Sequence, residues 1–151
     1  MKEDYFNSHD VILSDTNTMV KWYEVARSRD NRLIKKLDEF AYISMARDNL
    51  FELLYVTVDE LNCRVTRSYH GKIVSKSGKN YLIIRRGLFR HKLLILSYDE
   101  KAGLVALSNR FKTKVRILSS CLPVDNDAFQ KMMNIVSEHG FDVNDIELLY
   151  D

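Results

Sequence analysis

Polar and apolar positions alternate most sharply along Arg110-Phe111-Lys112-Thr113-Lys114-Val115-Arg116-Ile117. A strand sends successive side chains to opposite faces. This stretch therefore predicts a half-buried strand, with Phe111, Thr113, Val115 and Ile117 inward and Arg110, Lys112, Lys114 and Arg116 outward. At about 3.3 Å per residue the four cations stand roughly 6.5 Å apart. Phosphates along an extended nucleic-acid strand are spaced by a similar roughly 6–7 Å.

The region before it carries the same short period. Residues 71–76 predict a strand, Ser77-Gly78-Lys79-Asn80 a hairpin turn, and residues 81–85 the returning strand. Leu93-Leu94-Ile95-Leu96-Ser97-Tyr98 is apolar on both faces and predicts a central strand. Asp99-Glu100-Lys101-Ala102-Gly103 predicts a tight turn, and residues 104–108 pair back. Strands this short and closely spaced predict a small antiparallel barrel or curled sheet over residues 62–120.

On either side the pattern becomes helical. Ser14 to Asn17 offer N-caps for a helix reaching about Arg29, with Met19, Val20, Tyr23 and Ala26 on one face and Trp22 beside it. Leu33, Leu37, Phe40 and Ser44 recur at helical spacing and predict a second helix. Asn49 with Glu52 fits a capping box for a third, over residues 50–61, although Leu54-Tyr55-Val56-Thr57-Val58 has strand composition. After Pro123, Asp125 or Asn126 caps a helix with Phe129, Met132, Met133 and Val136 inward. His139-Gly140 ends it, and Phe141 packs back. The expected architecture is α+β: N-terminal helices (residues 1–61) on a small antiparallel β-barrel or curled sheet (62–120), closed by a C-terminal helix and tail (121–151) as one compact unit.

Charge sharpens these boundaries. Residues 1–61 hold 8 Lys/Arg and 12 Asp/Glu, residues 62–120 hold 14 and 2, and residues 121–151 hold 1 and 7. The net values are −4, +12 and −6, so the overall +2 hides a basic block between acidic flanks. Clustered cations neutralise phosphates, and aromatics beside them stack on bases. The expected function is a non-enzymatic nucleic-acid-binding or regulatory protein, with RNA or DNA as partner. Arg110, Lys112, Lys114 and Arg116 would grip the backbone, Arg85, Arg86, Arg90 and Lys92 would extend the surface, and Tyr81, Phe89 or Tyr98 would stack.

Two alternatives stand beside it. The first is a protein-interaction module or inhibitor, whose basic face docks an acidic protein partner or whose acidic ends mimic nucleic acid. Those ends carry enough negative charge to cover the cationic row from within the chain. The second is a small metal-independent ribonuclease, with His70, His91 and Arg86 as acid, base and phosphate clamp.

The sequence shows no zinc spacing, glycine-rich phosphate loop or serine-nucleophile motif, so no metal or cofactor is expected. Cys63 and Cys121 are expected as small buried hydrophobes. No apolar run is long enough to span a bilayer, and the polar N-terminus does not resemble a signal peptide. The expectation is a cytoplasmic or nuclear protein with no membrane partner.

Overall fold

The computed structural model describes residues 20–29, 36–45, 50–59, 61, 63–86 and 88–149. Eight consecutive antiparallel strands form an up-and-down meander: β1 (Val20–Ser28), β2 (Lys36–Met45), β3 (Leu50–Asp59), β4 (Arg64–Lys76), β5 (Lys79–Arg86), β6 (Phe89–Asp99), β7 (Leu104–Asn109) and β8 (Val115–Ser119). Each strand from β2 to β7 pairs with the next. Strand β1 pairs with β2 through Val20–Tyr23 and with β8 through Tyr23–Arg27, so the meander returns to its own first strand as a barrel. Helix α1 (Asn126–Glu138), a 3-10 turn (Val143–Asp145) and β9 (Ile146–Leu148) follow, and β9 adds to β1.

This corrects the expected N-terminal helices: residues 20–28, 36–45 and 50–59 are strands. In β1 the cause is visible. Register shifts between Glu24 and Ala26, and the bulge turns both Val25 and Ala26 toward α1. Trp22 and Glu24 are buried on the other face. A strand covered on both sides and bulged loses its period of two. Its apolar positions at 20, 22, 23, 25 and 26 then mimic a helical stripe.

The basic strand is corrected as well. Strand β8 begins only at Val115. Residues 110–114 form the β7–β8 loop, closed by Lys112 N–H donating to Asn109 O at 3.1 Å. Asn109 is the cause. Its Oδ1 accepts from the Thr113 and Lys114 amides at 2.8 and 3.1 Å, while its Nδ2 donates to Thr113 Oγ1 at 2.6 Å. A side chain that offers the backbone these bonds competes with a ladder.

Helix α1 begins at Asp125, whose carboxylate accepts from Ala128 N. It ends before Gly140, held at φ 94°, and Phe141 N–H donates back to Val136 O. Its inner face, Ala128, Met132 and Val136, packs on Leu94, Leu96, Leu104, Ala106 and Ile117. Burial of each Leu, Ile, Val or Met among them contributes about 1.5–3 kcal/mol. An eight-stranded barrel is just wide enough inside for side chains or one small ligand. The helix therefore lies outside, and its contacts mark the outer face of every strand it touches.

Among the described residues no helix is long and apolar enough to cross a membrane.

Candidate functional site: the barrel interior and its mouth

With the outer face fixed by α1, register assigns the inner one. Ile95 pairs with Leu107 and Leu107 with Arg116, while Tyr98 pairs with Val105 and Val105 with Leu118. Leu118 faces Glu24, and Trp22 shares the face of Glu24. On the next hairpin the inner positions are Ile73, Leu82 and Ile84, with Asn80 at the turn. The buried part of the described inner wall is thus mainly aliphatic, with Trp22 and Tyr98 as its buried aromatics and Tyr69 half-buried beyond them.

Burial along this wall is graded. Trp22, Ile73, Leu82, Ile95, Tyr98, Val105 and Leu107 are all buried. Tyr69, Ile84 and Leu93 are half-buried, and Val65, Arg67 and His91 on the same face are exposed. The barrel therefore closes at the end of the β4–β5 and β6–β7 turns and opens at the end of the β3–β4, β5–β6 and β7–β8 loops. At the closed end Ser75 Oγ donates to Asn80 Oδ1 at 2.6 Å. Asp99 Oδ1 accepts from Ala102 N at 3.0 Å, which braces the turn.

The polar groups of the interior are few. Glu24 is 4% exposed. It accepts from Arg27 Nη1 at 3.2 Å, and Arg116 Nε lies 3.2 Å from its other oxygen. Arg27 also reaches Glu147 at 3.2 Å. Burial, reinforced by Glu100 and Asp99, pushes the Tyr98 phenol well above its ordinary range and keeps it neutral. The Trp22 indole N–H is buried without a hydrogen-bond partner. An orphaned donor on an inner wall is the natural contact for a water or a ligand acceptor.

The sequence-predicted residues are dispersed over this architecture. Arg110, Lys112 and Lys114 lie in the β7–β8 loop, with Arg110 over the Phe111 ring at 5.7 Å and Lys114 Nζ donating to Arg29 O at 3.3 Å. Arg116 alone of the row is on a strand, and it points inward to Glu24. His70, Arg85 and Arg90 align across β4, β5 and β6 on the outer wall, next to Tyr81 and Lys92, whose Nζ sits 4.2 Å above the Tyr81 ring. Leu50, His70, Gly71, Lys72, Ile83, Arg85 and Arg90 line an open depression of about 320 Å³ on that wall. Tyr98 is inside the barrel. Arg86 and Phe89 pair at the end of the β5–β6 ladder, and their side chains lie outside the described part of the structure.

These placements overturn the nucleic-acid surface. Its cations and aromatics are divided among the interior, a loop and the outer wall, so no single strand of phosphates reaches them. The ribonuclease reading fails on the same ground. His70 pairs with Arg85 on the outer face, whereas His91 pairs with Ile84 on the inner face, so the two imidazoles cannot flank one phosphate. Among the described residues the flanks meet the row at Arg116 through Glu24, at Lys114 through the Arg29 carbonyl and at Lys112 through His139 Nδ1 at 3.4 Å. The cysteines are exposed rather than buried, Cys63 Sγ lying 3.9 Å from Leu61 O. Among the described residues no group of three or more His, Cys, Asp or Glu is placed to hold a metal.

Sequence reasoning missed Trp22, Glu24 and Arg27. The signal was the alternation Trp22/Glu24 against Lys21/Tyr23, masked by the bulge that follows.

No family model matches this sequence, and no curated protein does. Solved structures do match, at the level of fold. H1 crustacyanin from the lobster Homarus americanus superposes with a TM-score of 0.66 at 10% identity, over 100% of this chain and 85% of its own. The tryptamine complex of the amine-binding protein of Rhodnius prolixus gives 0.60 at 9% identity, covering 91% and 81%. Insecticyanin from the tobacco hornworm Manduca sexta gives 0.59 at 12% identity, covering 85% and 76%. The fold is lipocalin-like.

Proposed function

We propose that this protein carries a small, largely apolar molecule in the barrel interior. The observation that carries this is the inner wall, whose aliphatic lining passes from buried at one end to open at the other. Water inside such a wall has few polar partners, so an apolar ligand gains by replacing it. The Trp22 N–H and the neutral Tyr98 hydroxyl supply the polar contacts that orient the ligand. The amine-binding neighbour supports the general mode, because a protein of the same fold forms a complex with a small organic molecule, tryptamine.

Trp22 is the chain's only tryptophan, so its emission reports on the interior directly. Titration with fused-ring aromatics and long-chain alcohols is expected to quench or shift that emission in a saturable way at one site per chain. A flat response across the whole panel would refute the carrier reading.

A further inference from the structure

The open end of the barrel presents a combination of side chains that enclosing a ligand does not require. Its described loops each expose one large apolar residue: Leu61 (76% exposed) between β3 and β4, Leu88 (100%) between β5 and β6, and Phe111 (76%) between β7 and β8. Hairpin topology places all three loops at the same end. Single exposed hydrophobes are ordinary, but three on separate loops at one end form a pattern. At the other end the described turns, residues 77–78 and 100–103, expose Ser77, Gly78, Glu100 and Lys101. Leu50 (47%) at the start of β3 and Leu122 (41%) after β8 are less exposed than the three tips.

The Phe111 loop is also rigidly built. Lys112 is held at φ 56°, a conformation costly for a non-glycine residue, and the Asn109 side chain ties both following amides. The Phe111 backbone is thus held at the exposed tip of the loop. Around the three tips stand exposed Arg64, Arg67, Arg90, Arg110, Lys112 and Lys114. Asp59 and Glu60 adjoin Leu61 in sequence, and Lys112 Nζ, 3.4 Å from His139 Nδ1, brings the exposed Glu138 beside the Phe111 loop.

We propose that this end docks on an anionic lipid bilayer, with Leu61, Leu88 and Phe111 entering the headgroup–acyl boundary and the cations meeting lipid phosphates and carboxylates. Two of the three tips are aliphatic. They cannot stack on bases, but they partition into acyl chains. Cations ringing apolar tips match the charge profile of an anionic leaflet, polar above and apolar below. The mouth then faces the phase in which an apolar cargo dissolves. This goes beyond the carrier reading without depending on it, since docking is measured with empty protein and cargo binding without lipid.

The test is co-sedimentation of the full chain with phosphatidylcholine vesicles, with and without phosphatidylserine. Binding is expected only with phosphatidylserine, and it is expected to fall steeply as salt rises. Leu88→Ser and Phe111→Ser remove exposed side chains and leave the fold intact. Each is expected to weaken vesicle binding about tenfold. Lys112→Glu should weaken it as much, and Lys101→Glu, at the far end, should leave it unchanged. Absence of binding at low salt would overturn the proposal, as would equal binding to neutral vesicles or equal loss with Lys101→Glu. Retention of polyglutamate together with vesicle binding insensitive to both serine variants would instead identify a purely electrostatic surface for an acidic protein, and would also overturn it.

Discussion

Among the described residues Glu24 is the only buried charged side chain. It is buried between two arginines, one of them half out in solvent. A buried acid partnered this way adds little net stability, but loss of one partner strands the others. Glu24→Ala should lower stability by about 2–4 kcal/mol, less than a fully buried pair because Arg116 keeps some solvent. A urea midpoint shifted down with an unchanged slope would show it. Tyr98 sets an alkaline limit. Its folded-state affinity for the proton exceeds that of the unfolded chain, whose phenol titrates near 10.0. Below that pH both states hold the proton and the contribution is complete. As pH rises past it the unfolded state loses protons first, so stability falls. Tyr98→Phe should remove this component, and thermal melts of both proteins between pH 9 and 11 should diverge accordingly.

At the scale of elements, the hairpins and the last helix were the legible parts. The Ser77–Gly78 turn has φ values of 55° and 74°, the left-handed pair that a two-residue hairpin needs. Capping residues mark both ends of α1. The β7–β8 segment was not legible as a loop, because Arg110 to Lys114 alternates in sequence while Asn109 captures its amides. Gly103, closing the β6–β7 turn, is the sharpest element-level constraint. It sits at φ 68°, and a Cβ there would run into the Ser120 side chain, whose amide donates to Gly103 O at 2.9 Å. Gly103→Ala combines strain with a steric clash and should cost about 2–3 kcal/mol. Chemical denaturation would measure it, and Lys101→Ala in the same turn should stay within about 0.5 kcal/mol of the parent.

For the whole molecule, the decisive fact is closure. Once β1 pairs with both β2 and β8, each strand has an inside and an outside, and the cations of residues 62–120 are sorted between them. The +12 block therefore spreads over the mouth, the outer wall and the interior. Ile84 stands on the inner face where burial begins to fade, between the closed end and the mouth. Ile84→Arg should weaken cargo binding by roughly tenfold or more while its guanidinium reaches solvent through the mouth. Trp22 quenching would register the loss, and an unaltered melting temperature would show that the barrel still forms.

The sequence by itself determined the local features: the hairpin turns with their left-handed residues, the caps of α1, the apolar run of β6 and the segregation of charge. These depend on neighbours within a few positions, and backbone sterics and short-range hydrogen bonds decide them. Only the tertiary structure decided that residues 20–59 are strands, that Arg110 to Lys114 form a loop, and which charges share a face. In β1 the apolar spacing suited a helix as well as a strand buried on both sides. The choice between them came from pairing with β2, β8 and β9, partners distant in sequence whose contribution no local period records.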